Sequence, residues 1–152
     1  MKQNKVKAFF IIKIISIYIV VCGIILISAC QKKAITLPNE VATQDKPVTS
    51  PSGNYILTVT SGDNGTIEYQ SFEILNNNEE ILFSSSDQFA IRHTTYFLWD
   101  DDDRVWVYSG DLGTFFWELN PDTSQWEKFV YAKNDVPAPA FLKQIRPKWH
   151  KK

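Results

Sequence analysis

The sequence predicts an all-β domain, an antiparallel meander of about seven or eight short strands folded into a small sandwich or barrel and closed by a short C-terminal helical turn. Three observations predict it. Apolar and polar side chains alternate with period two in segment after segment from Tyr55 onward. Turn-forming residues separate those segments at short, regular spacing. Helix is confined to Ala140 to Ile145, a stretch bounded by Pro139 and Pro147.

The first strand carries Tyr55, Leu57 and Val59 on one face and Thr58 and Thr60 on the other. Ser61-Gly62-Asp63-Asn64-Gly65 then supplies hairpin chemistry, because glycine tolerates positive φ. The partner strand runs from Thr66 to about Leu75. Its parity changes between Ile67/Tyr69 and Phe72/Ile74, which predicts a bulge near Gln70-Ser71. Asn76-Asn77-Asn78 reads as a turn, Ile81 to Phe83 as a short strand, and Ser84 to Asp87 as a loop.

Phe89 and Ile91 alternate again, and Tyr96 to Trp99 forms a short aromatic strand. In Arg104 to Tyr108, Val105 and Val107 oppose Trp106 and Tyr108. In Thr114 to Leu119, Phe115, Trp117 and Leu119 oppose Phe116 and Glu118. Asn120-Pro121-Asp122 turns the chain into the last strand, Trp126 to Tyr131. Pro51-Ser52-Gly53-Asn54-Tyr55 resembles the opening of a β-propeller blade, but a body of this length holds about two blades where stacked repeats need at least three. That likeness is therefore local turn chemistry.

The N-terminus is organised differently. Lys2, Lys5 and Lys7 precede an almost wholly apolar run from Ala8 to Ala29, interrupted by Lys13, in the order of a secretory signal. The uncharged part, Ile14 to Ala29, is shorter than the roughly 20 residues that span a bilayer. Ile27-Ser28-Ala29-Cys30 resembles the lipobox of bacterial lipoproteins: an aliphatic residue, two small residues that fit the peptidase cleft, then the cysteine that becomes the lipidated N-terminus. The resemblance covers about the first thirty residues. It implies cleavage before Cys30, acylation of Cys30 with palmitate-type chains, and a place in the cell envelope, tethered to a membrane. Gln31 is not the aspartate that typically marks inner-membrane retention in double-membraned bacteria, so the resemblance implies the outer membrane facing the periplasm there, and the outer face of the cell membrane otherwise.

Four segments follow: residues 1–29 as signal peptide, 30–50 as lipidated N-terminus and flexible linker, 51–134 as an acidic β domain, and 135–152 as a basic, proline-containing tail. Cys22 lacks small residues before it and belongs to the apolar run, so the mature chain has Cys30 alone and no internal disulfide. The mature part holds 12 basic and 17 acidic residues. The β domain carries a formal −10 and the tail +4, which disfavours nucleic acid and favours basic partners. The tail's cations, interleaved with Trp149, suit either anionic headgroups or the domain's own acidic surface.

The densest chemical feature is Trp99-Asp100-Asp101-Asp102-Asp103-Arg104-Val105-Trp106. Read as a calcium loop from Asp100, it has Arg104 where an oxygen ligand belongs and Val105 where glycine belongs, so that motif fails. A solvated hairpin turn partly neutralised by Arg104 is the simpler reading. Trp99, Trp106, Tyr108, Phe116 and Trp117, with Asp111 in the next turn, could line an exposed acidic aromatic surface suited to sugars or a basic peptide. Both faces of two neighbouring strands are aromatic, so either both are covered or one is a contact surface. His93 with Ser84, Ser85, Ser86 or Ser109 is the available nucleophile set, without an elbow motif, and Asp111 with Glu118 the available carboxylate pair. No cofactor is expected and no zinc cluster stands out. These features favour a non-enzymatic, membrane-anchored binding module for a basic protein or an envelope glycan, over an envelope assembly component, an inhibitor or immunity-type lipoprotein, or a small hydrolase.

Overall fold

The computed structural model describes residues 37–151. The signal peptide, the lipobox residues Ile27, Ser28 and Ala29, and Cys30 lie outside the described residues. Ten strands make up the body: β1 (Val41–Ala42), β2 (Val48–Thr49), β3 (Tyr55–Asp63), β4 (Glu68–Asn76), β5 (Ile81–Ser84), β6 (Phe89–Ala90), β7 (Thr95–Trp99), β8 (Val105–Ser109), β9 (Gly113–Asn120) and β10 (Gln125–Val130). They form two antiparallel sheets, β1-β7-β8-β9-β10 and β2-β3-β4-β5, with β6 on β4. A 3-10 turn (Tyr131–Lys133) and helix α1 (Ala140–Ile145) follow, the helix lying where its flanking prolines predict.

The alternation read from the sequence assigns the faces of β3, β8 and β9 correctly. Leu57 and Val59 of β3 pair with Ile74 and Phe72 of β4, and all four turn inward against Phe97, Trp99, Val105, Val107 and Trp117 of the other sheet. Phe72 sits at the centre, its ring 4.8 Å from that of Trp117, edge to face, and 6.1 Å from that of Phe97. Two packed sheets make the body a sandwich rather than a barrel.

The first sheet is buried on its other face as well. Leu98, Trp106, Tyr108 and Phe116 point away from the sandwich and are covered by Tyr131, Ala138, Phe141 and Leu142. All five residues of β8 are therefore buried. The basic C-terminal segment, expected as a tail, is a third layer seated on aromatic side chains.

Two expectations are corrected. The linker does not reach residue 50, because Val41 and Ala42 pair with Leu98 and Phe97 while Val48 and Thr49 pair with Leu57 and Ile56. These strands are two residues long, too short to show periodicity, and burial of Val41, Ala42 and Val48 is what holds them. The bulge near Gln70-Ser71 is also absent: β3 and β4 pair without interruption from Tyr55↔Asn76 to Asp63↔Glu68. Tyr69 keeps the regular outward parity and lays its ring over Gly62, whose missing side chain leaves the space; a Cβ there would lie 2.6 Å from the Tyr69 ring. The irregularity sits instead between Ile74 and Leu75, against β5.

Candidate functional site

The tight β7–β8 connection holds the acidic run. Asp100 N–H donates to Arg104 O at 3.0 Å, and Asp103 takes the left-handed conformation, φ 59°, that closes the loop. Asp100 is the hub. Its Oδ1 accepts from the backbone N–H groups of Asp102 and Arg104, both at 3.0 Å. Its Oδ2 accepts from Arg104 Nε and from the Trp106 indole, both at 2.7 Å. Arg104 also pairs with Asp102 and lies 3.6 Å from Glu118. Burial opposes charge on the guanidinium, but the hydrogen bond and attraction to Asp100, with help from Asp102 and Glu118, raise its pKa further. Asp103 accepts from Ser52 N–H at 3.0 Å, tying the hairpin to the turn before β3. The carboxylates are thus largely explained as the hairpin's own scaffold. Among the described residues no group of three or more His, Cys, Asp or Glu is placed to hold a metal ion.

The aromatic half of the expected surface is not on the surface. Trp99, Trp106, Tyr108 and Trp117 are all buried. Trp99 and Trp117 fill the inner core and Trp106 and Tyr108 the outer one, because the C-terminal layer covers the face that the double aromatic pattern had left open. Trp99 Nε1–H donates to Val48 O at 2.8 Å. At that hairpin Asp101 and Asp102 are exposed, while Asp103, like Asp100 and Arg104, is half-buried.

Asp111 lies at the opposite end of β8, in the β8–β9 turn. Its carboxylate accepts from the Ser109 hydroxyl. That hydrogen bond, opposed by burial and assisted by the N–H groups of Asp111 and Leu112 and by His93, holds its pKa below the ordinary carboxylate value. His93 Nε2 accepts from Arg92 Nε at 3.2 Å and stands 3.6 Å from Asp111. The Ser109 proton is directed to the carboxylate rather than to an imidazole, which is the wrong order for an activated nucleophile. Ser84 and Ser85 direct their hydroxyls to Glu73 and Asp87. Asp111 and Glu118 serve opposite ends of β9 and do not form a pair.

What the sequence did not single out is a second histidine contact at this same end. His150 is 2% exposed. Its Nε2 meets the Thr114 hydroxyl at 2.9 Å and its Nδ1 the Arg146 carbonyl at 3.1 Å. Since that carbonyl can only accept, Nδ1 carries the proton and Nε2 accepts from Thr114. The preceding residue, Trp149, is 72% exposed. It forms one wall of an open cleft of about 390 Å³, shared with Ser109, Asp111, Leu112, Thr114 and Val130. Thr114 and His150 are 36 positions apart, and no local pattern announces the pairing.

Fold and site define a two-sheet β-sandwich with a helical cover and one cleft that combines an exposed indole, a carboxylate and hydroxyls. No protein-family model, curated protein or solved structure matches the chain. No helix among the described residues is long and apolar enough to cross a membrane.

Proposed function

We propose that the protein is a lipid-anchored envelope lipoprotein whose body is a non-enzymatic binding module, and that it contacts an envelope glycan through the cleft beside Trp149. The observation that carries this reading is the 72% exposure of Trp149 at the rim of that cleft. A tryptophan left in water costs solvation free energy that a small domain with a large aromatic core has no need to accept. An indole face stacks on the C–H face of a pyranose, while a neighbouring carboxylate and hydroxyls hydrogen-bond its hydroxyl groups. Asp111 provides the carboxylate and Thr114, whose proton goes to His150, a hydroxyl oxygen that accepts, while the buried Ser109 holds Asp111 in place.

The anchor supports the same arrangement. With β1 starting at Val41, ten residues separate Cys30 from the first strand, a reach of at most about 35 Å. Glu40 O accepts from Trp99 N–H, so the chain enters the sandwich at the acidic hairpin end. The cleft lies at the other end of β8, away from the tether's attachment. A basic protein docking on Asp101, Asp102 and Asp103 is the second reading, favoured by the exposure of Asp101 and Asp102 at the tip of the hairpin.

Two measurements test the proposal. Mass spectrometry of membrane-purified protein should find residue 30 acylated and residues 1–29 removed. Titration calorimetry with envelope glycan fragments should show binding that Trp149→Ala weakens at least about tenfold and that Asp101→Asn/Asp102→Asn/Asp103→Asn leaves unchanged. Loss of binding in the triple variant alone would move the site to the acidic hairpin.

A further inference from the structure

We infer that His150 is an acid-released clasp that holds the Trp149 wall of the cleft in place, so that the cleft is assembled at neutral pH and opens as the medium acidifies. The clasp is geometric before it is electrostatic. The polypeptide after α1 has one deeply buried side chain at its far end, the His150 imidazole, and it is bonded at both nitrogens. Through Thr114 it grips β9, and through the Arg146 carbonyl it grips its own segment. Its ring packs against Tyr108 of β8, centroids 6.0 Å apart, and against Tyr131 of the 3-10 turn, 5.4 Å apart. Arg146 reinforces the seat, donating from Nε to the Tyr108 hydroxyl at 2.9 Å. Lys148, Trp149 and Lys151 are exposed on either side, so little else anchors this stretch.

The seat is built for the neutral ring. The elements packed against it present Tyr108 from β8, Thr114 from β9 and Tyr131 from the 3-10 turn, and its own segment presents Arg146 with Lys148 and Lys151 nearby. None of these supplies a carboxylate to receive an imidazolium. Asp111 lines the same cleft, but its carboxylate is engaged by Ser109 and stands beside His93. Burial pushes the His150 pKa down; the carbonyls of Arg146 and Leu142 pull it up, and the Arg146 charge pushes it down again, leaving it below the ordinary histidine value. The sign follows. The clasped state binds the proton more weakly than the released state, so the clasp is at full strength above the ordinary histidine pKa. It weakens as pH falls below that value toward the clasped one. Acid therefore favours release, and release removes Trp149 from the cleft.

This inference uses the cleft proposed above as its readout of function, but the clasp itself is testable without any ligand. Hydrogen exchange of the full chain in detergent, corrected for the intrinsic pH dependence of exchange, should show protection of residues 143–151 falling about tenfold or more between pH 7.5 and 5.0, with β8 and β9 unaffected. His150→Gln keeps one donor and one acceptor without titrating, and should abolish the difference. Should that variant lose the clasp at both pH values, proton NMR of the wild-type His150 imidazole decides. It should then titrate below the ordinary histidine value and in step with the Trp149 indole signal. Protection unchanged at pH 5.0, or a His150 midpoint at or above the ordinary histidine value, overturns the clasp. A clasp that responds to pH while no glycan binds at any pH sinks the glycan reading and leaves the clasp standing.

Discussion

The Trp106 indole donates its N–H to Asp100 Oδ2 at 2.7 Å, which links the outer aromatic core to the acidic hairpin. The carboxylate run of the loop and a buried tryptophan on the strand that follows it are one construction. Asp100, with a side chain only 8% exposed, receives four donors and closes the loop around itself. Asp100→Ala leaves the Trp106 N–H and the half-buried Arg104 without their shared acceptor. The expected loss is about 3–5 kcal/mol, read by urea denaturation. Asp101→Asn, at the exposed tip, should change stability by less than about 0.5 kcal/mol. Equal effects from the two would mean that the hub does not organise the loop.

A second relationship fixes where the domain begins. Trp99 Nε1–H donates to the Val48 carbonyl across 51 residues, and Val41 and Ala42 complete the edge beside Leu98 and Phe97. A chain beginning at Pro51 should be at least about 3 kcal/mol less stable than one beginning at Leu37, from the loss of two valines' burial and the orphaned indole N–H. Matched thermal melts of the two chains measure this, and equal midpoints would return residues 37–50 to the linker.

Much of the sandwich is legible in the sequence because it rests on period-two alternation. Val105 and Val107 against Trp106 and Tyr108, or Leu57 and Val59 against Thr58 and Thr60, assign faces without reference to anything distant. What covers those faces is tertiary information. The aromatic residues of β8 read equally well as contact surface or core until Phe141 and Leu142 are seen to close over them. Tyr69 shows a subtler failure, since an outward aromatic mimicked a parity switch when it was filling the space above Gly62. The cleft was illegible for the same physical reason: His150 and Thr114 meet only after the C-terminal layer docks.

Asp111 and Ser109 give a pH-dependent prediction. The Ser109 hydroxyl holds the Asp111 pKa below its ordinary value, so this contact adds stability that is complete above the ordinary carboxylate range. It is lost as pH falls below that range through the folded value. Ser109→Ala should raise the Asp111 titration midpoint, followed by carboxyl-carbon NMR, and should flatten the acid limb of the stability profile. An unmoved midpoint would show that the turn's backbone N–H groups, not the hydroxyl, hold the charge.

Leu142 tests whether the C-terminal layer is part of the fold or an ornament on it. Its side chain is fully buried on the outer face of the first sheet, in one cluster with Trp106, Tyr108 and Phe116. Leu142→Ala should cost about 2–5 kcal/mol, the range for emptying a buried leucine site that relaxes only partly. Gln144→Ala, exposed on the same helix, is the control and should stay within about 0.5 kcal/mol. Ending the chain at Asn134 goes further, since it removes Ala138, Phe141 and Leu142 from the outer aromatic face and leaves that face only partly covered by Tyr131. That truncation should bind a hydrophobic dye and self-associate, because an apolar patch of several side chains does not stay in water unpartnered. If it instead remains monomeric, dye-silent and as stable as the full chain, the outer aromatic residues do not depend on this layer, and the clasp at its far end would have nothing to hold.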